Sequence, residues 1–260
     1  MKIILFFLLI LVSQQGLTCS CAADTPLANI TRSEFVATVK ILNVTPDTQN
    51  KHYNDVDIEI LDLYKGNKIS SLKNYGIEES TCGIYTPKDT TWLIYAYRHI
   101  DGYLRYDLCT DSKQLDKKIN FYNYPNAEID HKKPAESNLE LLEYLKKENI
   151  HLNNEYGLRA HFSNECLKGF NGIEFQTHRF ALYELTIDNL LNIKIIKSLK
   201  EFDDENLQEN LLSCVNKSVK VYKKHEQIQI PENTKIIVGL FYNPAVDGEE
   251  SFIDQWGLGF

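Results

Sequence analysis

The stretch SEFVATVKILNVT, residues 33–45, has an apolar side chain at every second position from Phe35 to Ile41. In an extended strand, alternate residues point to the same face, so such a pattern indicates one buried face and one solvated face. We therefore expect a half-buried strand that ends before Pro46. The positions on its apolar face are Phe35, Ala37, Val39 and Ile41.

Three further runs downstream have the character of strands. YNDVDIEILDLYKG, residues 53–66, alternates in the same way, and TTWLIYAY, residues 90–97, is β-branched and aromatic. GYLRYDLC, residues 102–109, follows an Asp-Gly dipeptide that is typical of tight hairpin turns. Four strands at short spacing, separated by polar turns, predict a small barrel or sandwich over residues 33–109.

The second half of the chain has a different pattern. Residues 110–135 are polar and contain two prolines, which predicts a connector, and AESNLELLEYLKKENI, residues 135–150, predicts a helix with leucines at three-residue steps. Beyond residue 150, two strand-like runs, a helical run at residues 203–217 and a final strand-like run predict a small α+β module.

The chain begins with a short apolar run. Lys2 is followed by IILFFLLILV, residues 3–12, whose length suits a signal peptide and is too short to span a bilayer. We therefore expect a secreted or extracytoplasmic protein, which would be periplasmic or on the cell surface in a bacterium. The predicted organisation is a signal peptide at residues 1–18, a mainly β domain at residues 19–150 and an α+β domain at residues 151–260.

Composition and motifs argue against two classes of function. The formal net charge of -8 and the pI near 5.4 disfavour nucleic-acid binding. The sequence has no G-x-S-x-G, no H-E-x-x-H and no phosphate-binding loop, and its histidines show no metal-ligand spacing. We therefore predict that the chain is not an enzyme and that it holds no cofactor of its own.

The six cysteines point to disulfide bonds. An even number in an exported chain favours disulfides, because that compartment is oxidising. Six cysteines allow 15 pairings, and spacing alone does not select one. The two in the second half, Cys166 and Cys214, most simply pair with each other. The other four are Cys19, Cys21, Cys82 and Cys109.

Residues 19–150 resemble the netrin-like family, and more narrowly the N-terminal domain of tissue inhibitors of metalloproteinases (TIMPs). The resemblance rests on Cys19-Ser20-Cys21 at the predicted mature start and on the strand SEFVATVKI. It also rests on YKG at the end of the next strand, on TCG at residues 81–83, and on Cys109 after the aromatic strand. The family implies a five-stranded OB-like β-barrel and the disulfides Cys19–Cys82 and Cys21–Cys109.

The resemblance also implies a mechanism. The free α-amine and the carbonyl oxygen of Cys19 would chelate the catalytic zinc of a partner metalloproteinase and displace its nucleophilic water. Ser20 would point into the specificity pocket, and Thr81, Gly83 and Ile84 would form a flanking contact ridge. The zinc would belong to the partner, so the chain would hold no metal of its own.

The chain departs from the TIMP pattern in two respects. A third disulfide of the barrel domain is missing, since no cysteine lies between Cys21 and Cys82, and the cysteine-rich C-terminal domain is absent. In its place, LTIDNLLNIKIIKS and DDENLQENLLSCV faintly resemble the C-terminal domain of TonB-type proteins. That resemblance implies a module that contacts other proteins.

Several alternatives stay open at this stage. A netrin-like domain can be an interaction module that inhibits nothing. Cleavage after Ala23 would remove Cys19 and Cys21, and a lipid anchor on Cys19 would block its amine, although the preceding GLT fits a lipobox poorly. Three N-x-S/T sequons begin at Asn29, Asn43 and Asn216, and they matter only in a host that glycosylates.

Overall fold

The computed structural model of this 260-residue chain describes residues 19–21, 24–76, 82–120, 122, 126–174, 179–224, 227–246 and 248–257. The signal peptide predicted at residues 1–18 lies outside the described residues. Within them, the chain folds into a β-barrel, a second sheet system and four α-helices.

Five strands of the first half form a closed barrel. They are hydrogen-bonded in the order β1-β2-β3-β5-β4, and β1 also pairs with β4, which closes the ring. All of these pairs are antiparallel except β3 with β5. A sixth strand, β6, pairs with β4 at Trp92 and Leu93. The bounds are β1 Phe35–Pro46, β2 Tyr53–Lys65, β3 Ser71–Tyr75, β4 Thr91–Arg98, β5 Leu104–Tyr106 and β6 Lys113–Gln114.

The interior of the barrel uses the apolar positions that the alternation in β1 predicts. Phe35, Ala37, Val39 and Ile41 are each at most 1% exposed. They pack against inward side chains of the other strands, so the predicted buried face of β1 is confirmed. These partners are Val56, Ile58, Leu72, Trp92, Ile94, Ala96 and Tyr106.

The second half contains two antiparallel sheets and a covering helix. Four strands are ordered β12-β11-β8-β9, and β7 pairs with β10 in a separate ribbon. Helix α4 begins after Asp204, whose side chain accepts a hydrogen bond from the Leu207 amide at 2.8 Å. The bounds are β7 Leu158–His161, α3 Asn164–Leu167, β8 Phe180–Ile187, β9 Ile193–Lys200, α4 Glu205–Ser218, β10 Lys220–Lys223, β11 Thr234–Asn243 and β12 Phe252–Asp254.

The remaining two helices are α1, Pro26–Arg32, and α2, Ala127–Lys147. Helix α2 starts eight residues before the predicted helix at residues 135–150, so the prediction of a connector up to residue 135 is wrong over this part. Pro134 lies inside the helix. Glu128 and Asp130 stabilise the first turn, because their negative charges lie at the positive N-terminal end of the helix dipole. Lys132 also forms an ion pair with Glu128 at 2.5 Å. This part is polar, so it shows no apolar period.

Strand β8 is buried on both faces, and this joins the two halves of the chain. Ala181, Tyr183 and Leu185 face the core under α4. Phe180 and Leu182 face the opposite way, into a second core that includes residues of the barrel and of helices α1 and α2. The buried residues of this shared core are Leu27, Ile30, Val36, Leu93, Tyr95, Leu141, Leu142, Leu145, Phe180, Leu182 and Phe241.

At this level the predicted fold class is confirmed: the chain is mainly β, with a small closed barrel followed by a mixed α and β part. The short strands β3, β6, β7, β10 and β12 and the helices α1 and α3 were not predicted. Among the described residues, no helix is both long enough and apolar enough to cross a membrane.

The shared core predicts that Phe180→Ala destabilises the whole chain. Phe180 is fully buried and contacts the ring of Phe241 at 6.3 Å between centroids. Removing a buried phenylalanine ring costs about 3–5 kcal/mol of the free energy of unfolding. Urea unfolding followed by circular dichroism measures this loss. Leu190→Ala is the control, because Leu190 is 77% exposed; equal unfolding midpoints for the two variants would contradict the shared core.

Candidate functional site

Three disulfides are present, and two of them hold the segment Cys19-Ser20-Cys21 on the barrel. Cys19 bonds to Cys82 and Cys21 bonds to Cys109, with Cα–Cα distances of 5.1 and 5.2 Å. The third joins Cys166 to Cys214 in the second half. These are the pairs that the TIMP resemblance implies for the first domain and that simplicity favours for the second.

The two disulfides at the barrel lie side by side. The Sγ atoms of Cys19 and Cys109, which belong to different bridges, are 3.8 Å apart. The sulfurs of Cys19, Cys21 and Cys109 all lie within 4.8 Å of one another, a spacing that would suit a metal ion. All three are in disulfides, however, and a metal binds the thiolate form. The arrangement is therefore a structural clamp.

A short turn holds Cys109 in place. Residues Leu108–Thr110 form a 3₁₀ helix capped by Asp107, whose Oδ1 accepts a hydrogen bond from the Cys109 amide at 2.9 Å. The hydroxyl of Tyr97 donates to Asp107 Oδ2 at 2.7 Å. The amide of Leu108 donates to the carbonyl of Cys82 at 3.3 Å, so the two anchors of the clamp are also joined to each other.

Tyr97 is held as a hydrogen-bond donor under this turn. Burial and the neighbouring Asp107 carboxylate raise the pKa of Tyr97 to about 12. Arg105 Nε donates to the Tyr97 hydroxyl oxygen at 2.7 Å. The phenol therefore stays protonated at physiological pH, and the support of Cys109 is constant over that range.

Side chains of helix α1 also hold this turn in place. The buried side chain of Asn29 donates to the Thr110 carbonyl at 3.0 Å. Arg32 donates to Asn29 Oδ1 at 3.1 Å and pairs with Asp24 at 2.7 Å. The residues that follow the clamp are thus tied back to it.

The three sequons differ in their surroundings. Asn29 is only 4% exposed, and its side chain is part of the contact just described. Asn43 on β1 and Asn216 on α4 are both exposed. Only the last two are placed to carry a glycan on the folded protein.

The surface around the clamp is partly apolar. Ser20 and Cys21 are exposed, and Cys19, Gly83 and Ile84 are partly buried. Thr81, the remaining member of the predicted flanking ridge, lies outside the described residues. Two large apolar side chains beside the anchors are exposed: Tyr85 at 68% and Leu108 at 50%.

Sequence reasoning missed several residues that build this site. They are Asn29, Arg32, Tyr85, Tyr97, Asp107 and Leu108. The pattern Asp107-Leu108-Cys109-Thr110 carries a capping signal that could have placed a turn at Cys109. The partners of Asn29 and Arg32 lie 81 and 77 residues away along the chain, and no local pattern marks them.

A separate crevice of about 120 Å³ lies between helix α1 and the second sheet system. Its lining is mainly apolar and includes Leu27, Leu152, Phe162, Phe241 and Trp256. The sequence did not predict it.

No protein-family model matches this chain, and no curated protein matches it significantly.

The buried contact of Asn29 gives a stability prediction. Asn29→Ala leaves the Thr110 carbonyl without its side-chain donor and removes one of the acceptors of Arg32. Such a loss costs about 1–3 kcal/mol in a buried site. Urea denaturation with the disulfides intact measures it. Asn43→Ala is the matched control and should change stability by less than about 0.5 kcal/mol, because the residue is exposed. A larger effect at Asn43 than at Asn29 would refute the assignment.

Proposed function

We propose that the chain, once cut before Cys19, is a secreted inhibitor of zinc metalloproteinases with a netrin-like barrel. The observation that carries the proposal is the double anchoring of Cys19-Ser20-Cys21. Two disulfides hold this segment against two neighbouring loops of a closed barrel, and Ser20 between them is exposed.

The strand order supports an OB-like barrel. β1, β2 and β3 form an antiparallel meander, β3 then lies parallel to β5, and β4 returns to β1. The OB architecture is a five-stranded, partly open Greek-key barrel. The pairing of β1 with both β2 and β4 is consistent with it.

The chemistry uses the backbone of the first residue. A catalytic zinc keeps one coordination position for water, which becomes the nucleophile when its pKa falls near neutral. In the proposed complex, the α-amine nitrogen and the carbonyl oxygen of Cys19 form a five-membered chelate with that zinc and displace the water. The partner supplies the metal, and this chain supplies two backbone ligands.

The clamp makes this binding favourable by reducing the entropy lost on association. A free N-terminus would have to be ordered in the complex, whereas Cys19 and Cys21 are already fixed to Cys82 and Cys109. Asp107 and the Leu108 amide hold the two anchors in place.

The contacts beside the metal would come from the exposed surface around the clamp. Ser20 is the residue proposed to enter the pocket next to the zinc, and Gly83 and Ile84 would flank it. Tyr85 and Leu108 add exposed apolar area on the same two anchoring segments. Aromatic and aliphatic side chains of this kind are typical anchors of protein interfaces.

For the second half we propose a module that contacts other proteins, in line with its faint TonB-like pattern. Ile195 on strand β9 is 59% exposed, and among the described residues β9 pairs with a neighbour only on its β8 side.

Secretion of the whole chain is supported by its three disulfides, which persist in oxidising compartments.

Blocking the amine should abolish inhibition. A mature protein that begins at Cys19 is expected to inhibit at least one member of a panel of zinc metalloproteinases. A form with one alanine added before Cys19 should lose inhibition by at least about a hundredfold, because its Cys19 nitrogen is an amide that cannot coordinate the metal. Inhibition constants measured on the panel test this.

Ser20→Ala on the mature protein is the matched control, since it keeps the amine and both disulfides. Its inhibition should change far less than that of the alanine-extended form. Equal inhibition by the extended and mature forms would overturn chelation. No inhibition by any form would leave the barrel as an interaction module.

Inhibition should also depend on pH in a defined direction. Only the neutral amine coordinates zinc, and an unperturbed α-amine has a pKa of about 7.7–8.0. Below that pKa the affinity should therefore fall about tenfold for each unit that the pH is lowered. The inhibition constant between pH 6 and 8 measures this, relative to a small zinc-binding inhibitor without a titrating amine on the same protease. A constant ratio across that range would contradict the proposal.

A further inference from the structure

The two disulfides of the clamp bring four sulfurs into one cluster. Cys82 is bonded to Cys19, and Cys109 is bonded to Cys21. The sulfurs of Cys19 and Cys109 are 3.8 Å apart and belong to different bridges. This separation is close to van der Waals contact, which is where the attack of one sulfur on another begins.

The two bridges differ in their access to solvent. Cys21 is exposed, whereas Cys19, Cys82 and Cys109 are only partly accessible. Thiol–disulfide exchange requires a thiolate to reach one sulfur of the bridge. A dissolved thiol would therefore attack Cys21 first and release Cys109.

We infer that Cys21 is a site of reversible thiolation by a low-molecular-weight thiol of the glutathione class, and that its modification moves the bridge of Cys19 from Cys82 to Cys109. The inference rests on the proposed function only for its consequence for inhibition. The exchange itself follows from the sulfur cluster and from the unequal exposure of the bridges.

The steps balance without an added oxidant. The external thiolate attacks the Cys21 sulfur, the Cys21–Cys109 bond breaks, and Cys109 leaves as a thiolate with the electron pair. Cys109 then attacks Cys19 across the gap of 3.8 Å. The Cys19–Cys82 bond breaks, and Cys82 leaves as a thiolate that takes a proton from water. One mixed disulfide, one protein disulfide and one thiol replace two protein disulfides and one external thiol.

The two alternative bridges of Cys19 close loops of similar entropy. The bridge from Cys19 to Cys82 spans 63 residues, and a bridge from Cys19 to Cys109 would span 90. The entropy of closing a loop changes slowly with its length, so neither bridge is strongly favoured on that ground. The Leu108 amide also holds Cys82 and Cys109 near each other, so Cys19 changes anchor with little movement of either.

The consequence for the proposed function is a change in where the first residue is held. With Cys19 bonded to Cys109, its side chain is no longer tied to Cys82, the neighbour of Gly83. The proposed chelating atoms then lose their fixed position beside the flanking residues. Thiols in the surroundings would therefore lower inhibition.

Cys21→Ser isolates the second step, because it leaves Cys109 as a free thiol beside the intact Cys19–Cys82 bridge. After incubation of the mature variant at pH 8.5, acid quenching and trypsin digestion, the peptide of residues 19–32 should be linked to two partners. These are the peptide of residues 74–88, which contains Cys82, and the peptide of residues 106–113, which contains Cys109. The two products should lie within about tenfold of each other, since their loop entropies are similar.

The matched control is the double variant Cys21→Ser, Cys109→Ser, in which Cys19 can bond only to Cys82 in this cluster. Its circular dichroism spectrum tests whether the barrel folds without the second bridge. Linkage of Cys19 to Cys82 alone in Cys21→Ser, with Cys109 fully alkylable, would overturn the inference.

The wild-type chain is tested in a buffer of reduced and oxidised glutathione, followed by alkylation with N-ethylmaleimide. The expected product carries glutathione on Cys21 and an alkyl group on Cys82, while Cys166–Cys214 stays intact. Alkylation of Cys109 in place of Cys82 would contradict the exchange. This map requires no protease, so it holds or fails independently of the proposed function.

Inhibition is then measured after the glutathione is removed by gel filtration. The treated wild type should inhibit at least about tenfold less than the untreated protein, and the double variant should be unaffected by treatment. If untreated protein inhibits no protease, the proposed function fails while the disulfide map still decides the exchange. Equal loss in wild type and double variant would overturn the link between exchange and inhibition.

Discussion

Strand β1 forms hydrogen bonds on both of its edges, and the rest of the first half depends on this double pairing. Residues 35–40 pair with β4, and residues 36–46 pair with β2, with register shifts at three points. Such bulges bend a strand, and bending allows one strand to serve two neighbours of a closed barrel. Closure brings the segment after β3 and the turn after β5 to the same place. There, Cys82 and Cys109 form disulfides with Cys19 and Cys21.

The sequence predicted the long strands of the barrel well and its short strands poorly. β1 and β2 have 12 and 13 residues, enough for alternation to be visible, whereas β3, β5 and β6 have 5, 3 and 2. Segments this short form because a neighbouring strand offers them hydrogen bonds. Helix α2 was predicted too short because its first turns are polar and contain Pro134. The second core was also not predicted from the sequence. Six of the eight residues of FALYELTI in β8 are apolar, however, and such a composition is typical of a strand buried on two faces.

At the candidate site, the sequence identified the cysteines but not the residues that position them. The pairing of Cys19 with Cys82 and of Cys21 with Cys109 was implied by a family resemblance, because the spacing of the cysteines left the pairing open. Asp107, Tyr97 and Asn29 act through contacts between elements that are distant in the chain or too short to show a period. Their role is to keep two anchors of an exposed segment in fixed positions, so the rigidity of the site comes from residues outside that segment.

The burial of Asn29 has a consequence for the route by which the chain can be made. Oligosaccharide transfer to an N-x-S/T sequon acts on the nascent polypeptide, before its side chains are packed. A chain that received a sugar at Asn29 could not bring that amide to the Thr110 carbonyl, because the Asn29 side chain is buried in that contact. Every molecule modified there would stay misfolded at the clamp. Production in a glycosylating host therefore calls for a change at Thr31, the hydroxyl residue of the sequon.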